Sequence, residues 1–382
     1  MKKILLICFI SMIFINTIKA EEIVIDGKSA VLIEASTGEI LYQKEKDLKL
    51  HPASMTKMMS MLLILEEIEK GNLSWNEKIT ISENASSMGG SQILLETGEQ
   101  MTVYDLFKGV AVASGNDAVV ALSERISGTT EDFIKLMNEK SKKLNLKNTN
   151  FKNVHGLDDN DHYSSSYDMA LIAKELVKYE KLFEFTSIYE DYLRKGTDKE
   201  LWLVNTNKLV RYYKGVDGLK TGYTADAGYC LTATINKNGF RVIAVVMGAS
   251  SSSERNKEVI KLIDYAYNMY KADTVLSKKD IIDTVNISLA KNQNVEITSL
   301  EDYKKIYKKN ENIKKYNYKI NIDKIKLPLK KGDIIGNIKI YDNNKVIKEI
   351  KATVNKNVNK ANIFTLYIRN IKDILTGNLK VN

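Results

Sequence analysis

Between Pro52 and Gly71 the chain carries Met58, Met59, Met61, Leu62, Leu63, Ile64, Leu65 and Ile68 with few polar interruptions. At 3.6 residues per turn these side chains point in nearly every direction around a helix. A surface helix shows a single apolar stripe, whereas one that is apolar all round must be enclosed by its own domain. Proline near the first turn and glycine past the end mark its limits. The fold must therefore surround a helix, which a chain of 382 residues is long enough to do. Ser54 then sits at the N-terminus of a buried helix. With 44% hydrophobic and 27% charged residues, collagen, wholesale disorder and a polytopic membrane protein are excluded.

Elements on either side suggest how the helix is enclosed. Val31, Leu32 and Ile33, then Ser36-Thr37-Gly38, then Ile40, Leu41 and Tyr42 read as a β-hairpin. Amphipathic helices are expected over 103–112, 118–126, 131–144 and 167–179. Strands are expected over 229–235 and 241–247, joined by the turn Asn236-Lys237-Asn238-Gly239, and followed by a helix over 253–270. Strands at both ends with helices between them predict an α+β domain over 21–270, its sheet flanked by helices. Beyond Lys271 the pattern changes to short β-like runs over 284–289, 294–297, 316–322, 334–341 and 346–354, separated by lysine and asparagine. A small all-β domain, sandwich or barrel, is expected over 271–360.

The two ends of the chain bear on location. Met1-Lys2-Lys3, an apolar run from Ile4 to Ile15, then Ala20 before Glu21 and Glu22 describe a signal peptide over residues 1–20. Cleavage is expected after Ala20, although the bulky Ile18 stands where a small residue is preferred; an uncleaved anchor is the competing reading. Cys8 follows Ile7 and does not read as a lipid-attachment site. The mature chain then keeps one thiol, Cys230, and has no internal disulfide. In residues 361–382, Ile363, Phe364, Tyr367, Ile368, Ile371, Ile374 and Leu375 fall within a sector about 140° wide, opposite Thr365, Arg369, Lys372 and Asp373. That segment is too short to span a bilayer but suits a helix lying among lipid headgroups; packing on its own β-domain is the alternative.

Charge is unevenly spread. Residues 21–270 hold 30 basic and 36 acidic side chains, and residues 271–382 hold 24 and 12. In an exported chain a basic module points to anionic lipid or wall polymer rather than to nucleic acid, unless it is simply a solvated lysine-rich surface.

The chemistry concentrates in Pro52-Ala53-Ser54-Met55-Thr56-Lys57. An i, i+3 spacing puts Ser54 and Lys57 on one helix face, where a desolvated neutral amine can take the hydroxyl proton. The helix N-terminus adds N–H groups where an oxyanion would form. Ser114-Gly115-Asn116 follows in a loop between two helices, and Lys220-Thr221-Gly222 follows immediately before a strand. In order, spacing and context these three elements resemble those of the penicillin-recognising serine acyl-transferases. The flanking words His51-Pro52-Ala53-Ser54, Ala113 to Ala118, Val154-His155-Gly156-Leu157-Asp158 and Gly215 to Thr224 narrow the resemblance. The chain looks like the low-molecular-weight penicillin-binding proteins that are serine-type D-alanyl-D-alanine carboxypeptidases (peptidase family S11).

The resemblance implies a penicillin-binding, β-lactamase-like transpeptidase fold and an enzyme that trims peptidoglycan stem peptides ending in D-Ala-D-Ala. It is expected outside the cytoplasmic membrane, peripherally attached through its C-terminal helix, with β-lactams as acylating inhibitors and no metal or organic cofactor. By the same resemblance Ser54 attacks the carbonyl between the two D-alanines, Lys57 is the general base, and Ser114 relays a proton to the leaving amine. Asn116 bonds the substrate backbone, Lys220 and Thr221 hold its terminal carboxylate, and Gly222 leaves room for it to lie beside the strand. The N–H groups of Ser54 and Tyr223 form the oxyanion hole. One departure stands out: some relatives have arginine where Thr206 lies between Asn205 and Asn207, so carboxylate binding is expected to rest more on Lys220 and Thr221.

Other readings are weaker. A Ser-His-Asp triad through His51 is unnecessary beside a lysine at the right spacing. His155 and His162 show no metal-ligand spacing, which disfavours a zinc carboxypeptidase; His155 is expected to fix a loop through hydrogen bonds. Cys230 reads as a small buried hydrophobe. A β-lactamase would need a dedicated deacylating carboxylate that is not identifiable, and a non-catalytic wall- or membrane-binding protein has no need of the nucleophile and base.

Overall fold

The computed structural model describes residues 23–311, 316–323 and 325–376; the expected signal peptide lies outside them. A five-stranded sheet has Ile40–Lys44 at one edge, then Ser29–Glu34, Phe240–Ala249, Gly228–Lys237, and Val216–Thr224 at the other edge. The hairpin between its two longest strands turns at Asn238 and Gly239, both at positive φ, as a tight two-residue turn matched to strand twist requires. Helix Lys57–Glu69 is buried continuously from Lys57 to Leu65, which is what an all-round apolar helix requires. Helices Asn116–Ser127, Thr130–Lys143 and Ser166–Leu176 complete its surroundings. Thr129 and Ser165 cap the last two, each accepting from the N–H three residues on, so those starts are dictated locally.

Three features differ from the sequence reading. Lys220-Thr221-Gly222 lies inside an edge strand rather than before one, because glycine, threonine and lysine weakened its apolar signal. Ser54 sits on a single 3₁₀ turn, Ala53–Thr56, ahead of the α-helix proper. The helix expected to end at Tyr270 stops at Met269, and Tyr270–Leu276 becomes a strand paired with Tyr303–Lys308, neither of which was foreseen.

The described residues divide into two compact units, one drawn from 23–33, 40–234 and 243–263, the other from 34–39, 235–242 and the described part of 264–376. The second contains a five-stranded sheet in the order Asp283–Asn286, Asn294–Ser299, Lys345–Val354, Ile334–Asp342, Asn317–Ile322. Its core gathers Val295, Ile297, Ile338, Ile340, Ile350 and Val354. Helix Ile363–Leu375 has no buried residue. It is tied down by Arg369, which donates to the carbonyls of Ser288, Ala290 and Lys291.

Candidate active site

The turn that presents Ser54 is held from two sides. Ala53 has φ +47°, a left-handed conformation that costs a non-glycine residue energy and persists only where neighbours enforce it. Gly156 is one enforcer: at φ +92°, a β-carbon added there would fall 1.9 Å from the carbonyl oxygen of Ala53. Gly222 approaches from the edge strand, where an added β-carbon would lie 2.8 Å from the carbonyl oxygen of Pro52 and 3.2 Å from the Ser54 nitrogen. Ser60 Oγ donates to the carbonyl of Val154 at 2.7 Å, which lays the 154–156 loop along the helix.

Lys57 is wholly buried. Its Nζ lies 3.0 Å from Ser54 Oγ, 2.6 Å from Asn116 Oδ1 and 2.8 Å from the carbonyl oxygen of His155. Burial drives its pKa well below the ordinary lysine range, the charge of Lys220 adds to that, and Asp117 opposes it. A neutral amine has two N–H donors and one lone pair. Asn116 Oδ1 and the His155 carbonyl can only accept; the Asn116 amide is oriented by Nδ2 donating to the Gly89 carbonyl at 2.7 Å. Ser54 is therefore the one neighbour of the three that can donate, so in the neutral form favoured by burial the lone pair is left for its hydroxyl.

Ser114 follows a widened π-type turn, Gly109–Ala113, and adopts φ +66°. Such turns recur where a backbone is bent to present a side chain. Its Oγ is buried and has no hydrogen-bond partner among the described residues. Asp117 accepts from the N–H groups of Ile93 and Leu95, which fixes the loop facing Ser114 and Asn116.

On the edge strand, Lys220 is buried and donates to the carbonyl of Thr221 at 3.1 Å. Burial, then the charge of Arg255, bring its pKa down to about 7. Arg255 is itself 5% exposed and contacts the side chain of Asn256. Among the described residues neither Lys220 nor Arg255 forms an ion pair, so this buried pair of basic groups favours binding of an anion. The sequence reading missed Arg255, because nothing around it in Ser253-Glu254-Arg255-Asn256 sets it apart from other helix arginines. Thr221 Oγ1 donates to Thr206 Oγ1 at 2.7 Å, so the residue that stands where some relatives carry arginine bonds directly to the Lys-Thr-Gly threonine.

The other singled-out residues fall around this centre. His51 Nδ1 lies 4.0 Å from Asp158 Oδ1, and that oxygen accepts from Thr224 Oγ1. His162 Nδ1 accepts from the Lys152 N–H at 3.0 Å. Its Nε2 must then carry the proton, donated to Thr56 Oγ1 at 2.7 Å. Burial lowers the pKa of His162 to about 4, and burial with the charge of Lys57 does the same for His155. His155 also folds its own loop, Nδ1 accepting from the Leu157 N–H at 3.2 Å. Cys230 is buried, which pushes its thiol up to about 11. Tyr223 is 57% exposed and its ring packs 4.4 Å from that of Tyr229.

A buried lysine aimed at a serine on a strained turn, beside a serine-x-asparagine corner, a buried edge-strand lysine and a buried helix arginine, is matched by a known family. The family profile of D-alanyl-D-alanine carboxypeptidase, peptidase S11, matches residues 16–251. The chain belongs to that family. The profile of the penicillin-binding protein 5 C-terminal domain matches residues 270–360. D-alanyl-D-alanine carboxypeptidase DacF of Bacillus subtilis (strain 168) is 47% identical over 356 residues, covering 93% of this chain and 92% of the relative. Among solved structures, penicillin-binding protein 5 from Haemophilus influenzae aligns with a TM-score of 0.69 at 30% identity, over 88% of this chain and 98% of that one. Penicillin-binding protein D2 from Listeria monocytogenes, in its ampicillin-bound form, aligns with a TM-score of 0.57 at 32% identity, over 64% of this chain and 98% of that one. The fold is therefore that of the S11 transpeptidase-like domain followed by an all-β domain.

Proposed function

We propose that the protein is a serine-type D-alanyl-D-alanine carboxypeptidase, acting on peptidoglycan stem peptides through an acyl-enzyme on Ser54 and acylated there by β-lactams. The observation that carries this reading is the placement of buried Lys57 Nζ 3.0 Å from Ser54 Oγ, with its two other neighbours, Asn116 Oδ1 and the His155 carbonyl, both acceptors. As Ser54 Oγ bonds to the carbonyl carbon between the two D-alanines, its proton passes to Lys57 Nζ. The carbonyl oxygen becomes an oxyanion received by the N–H groups of Ser54 and Tyr223. When the C–N bond breaks, the leaving amine of D-alanine takes a proton relayed from Lys57 through Ser114, whose hydroxyl has no competing partner. Water then attacks the ester, giving its proton back along the same route, and Ser54 leaves with a proton restored.

Binding rests on the same residues. Lys220, with Thr221 and Arg255, receives the terminal carboxylate, and Asn116 bonds the substrate backbone. Gly222 keeps the edge strand close to the Ser54 turn while the substrate adds along it as a further strand. Export is supported by the charged and apolar start of residues 1–20. Peripheral attachment to the outer face of the cytoplasmic membrane is supported by helix Ile363–Leu375, on which Ile363, Phe364, Tyr367, Ile374 and Leu375 are 59–87% exposed. The basic excess beyond residue 271 adds attraction to anionic headgroups.

The test is D-alanine release from a peptide ending in D-Ala-D-Ala by the mature chain and by Ser54→Ala, together with labelling by a fluorescent penicillin. Both signals should vanish in the variant. A folded wild-type protein that releases no D-alanine would overturn the carboxypeptidase reading, and rapid repeated turnover of penicillin would make it a β-lactamase.

A further inference from the structure

Two backbone donors that receive one oxyanion must keep a fixed separation, and here they come from segments far apart in the chain. Ser54 lies on the turn Ala53–Thr56 and Tyr223 on the strand Val216–Thr224. Burial of its own side chain does not hold the second donor, because Tyr223 is 57% exposed. Its neighbours do so on both sides. Gly222 packs on the turn, where an added β-carbon would lie 3.2 Å from the Ser54 nitrogen. Thr224 Oγ1 accepts from the Ala227 N–H at 3.0 Å and donates to Asp158 Oδ1 at 2.7 Å. That hydroxyl thus has a donor and an acceptor assigned, which sets its direction.

Asp158 ends a loop that is bonded to itself. Asn153 Oδ1 accepts from the N–H groups of Gly156 at 2.6 Å and His155 at 3.3 Å, and Asn153 Nδ2 donates to the Leu157 carbonyl at 2.9 Å. The Leu157 N–H donates to His155 Nδ1, and Ser60 ties the Val154 carbonyl to helix Lys57–Glu69. This braced loop meets the nucleophile turn at Gly156, which is seated against the Ala53 carbonyl, and the edge strand at Asp158. Ala53 immediately precedes Ser54, and Thr224 immediately follows Tyr223. Each contact of the loop therefore falls one residue from one of the two donors. His51 Nδ1, at 4.0 Å from the same Asp158 oxygen, is beyond hydrogen-bond reach, so the bond that counts is the one to Thr224.

We propose that Asp158 is a positioning residue: through Thr224 it fixes the Tyr223 N–H relative to the Ser54 N–H and so sets the width of the oxyanion hole. The inference rests on the proposed acyl-enzyme reading, in which those two N–H groups receive the oxyanion. The effect belongs to the transition state, where negative charge develops, rather than to the binding that precedes it.

The test uses the full mature chain and saturation kinetics with a fluorescent penicillin, which separate the acylation rate constant from the half-saturating concentration. Thr224→Val and Asp158→Ala should each lower the acylation constant about tenfold with half-saturation unchanged, less than the ~100–1,000-fold cost of removing an oxyanion donor outright. Thr224→Ser keeps the hydroxyl and Asp158→Asn keeps an acceptor, so both should stay within about twofold of wild type. The double variant Thr224→Val with Asp158→Ala should be no slower than Thr224→Val alone, because both changes break one link. Thermal unfolding is measured alongside; should Asp158→Ala fail to fold, Thr224→Val against Thr224→Ser decides. Thr224→Val acylating at the wild-type rate, a change confined to half-saturation, or losses that multiply in the double variant would overturn the positioning role and leave the acyl-enzyme intact. A folded wild type that penicillin does not acylate would overturn the acyl-enzyme reading and the positioning role with it.

Discussion

Replacing Gly156 by alanine tests whether the 154–156 loop sets the position of Ser54. Two costs are expected. The first is conformational: at φ +92° alanine loses about 1–2 kcal/mol. The second is steric. The new β-carbon would stand 1.9 Å from the Ala53 carbonyl oxygen and 2.4 Å from its carbon, where real contacts do not fall below 3.0 Å, so loop and turn must part by about 1 Å. Overpacking of this kind costs roughly 1–3 kcal/mol, and a displacement of about 1 Å near reacting atoms costs on the order of 100-fold in rate. Gly128 isolates the first cost, since it has φ +82° with nothing within 4 Å. The assay is the second-order rate of acylation by a fluorescent penicillin, with thermal unfolding in parallel. Gly128→Ala should lower Tm by several degrees and leave acylation unchanged; Gly156→Ala should lower Tm further and slow acylation about 100-fold. Gly156→Ala acylating at the wild-type rate, with a Tm equal to that of Gly128→Ala, would refute the claim that this loop fixes the nucleophile.

Three further outcomes follow from the charges and the exposed helix. Lys220, brought to about 7 by burial and Arg255, is a cation only below that pH in the free enzyme, so kcat/KM on a carboxylate substrate should fall as pH rises through about 7, and Lys220→Arg should move that falling limb up by more than a pH unit; an unmoved limb would assign it elsewhere. His162 keeps its proton off down to about pH 4 in the folded state, whereas unfolded histidine binds one below about 6.5. Stability is therefore fully present above 6.5 and is lost as pH falls toward 4, by up to about 3 kcal/mol; urea unfolding of His162→Gln should show a shallower loss over that window, and an identical slope would count against the assignment. Deleting residues 361–382 should move the protein from the membrane fraction to the soluble fraction, and an unchanged distribution would remove the membrane role of helix Ile363–Leu375.

What was legible in the sequence is what repeats locally. The all-round apolar run from Met58 to Ile68 required an enclosed helix, and helix Lys57–Glu69 is buried as that pattern demands. The Asn238-Gly239 turn and its two flanking strands were likewise readable from residues adjacent in the chain. The strand through Lys220-Thr221-Gly222 was not, because its conformation is set by the neighbouring strand and by the approach of Gly222 to Pro52 and Ser54. Arg255 escaped for the same reason: what distinguishes it is burial beside Lys220 rather than any local word. Leu94 and Tyr223 are exposed although their types suggest cores.

Residue types alone leave the direction of proton flow open, since a Ser-x-x-Lys pair can hold either a charged lysine donating to serine or a neutral one accepting from it. Two features decide between them here, and both depend on chain far from residue 57. Burial by the surrounding helices and the nearby charge of Lys220 favour the neutral amine. Two acceptors, from Asn116 and from the backbone at His155, then take both of its N–H bonds. In the neutral form only the lone pair is left for Ser54, so the packing that favours the proposed base also aims it. The left-handed Ala53 and the missing side chain of Gly156 hold Ser54 in the place where that lone pair points.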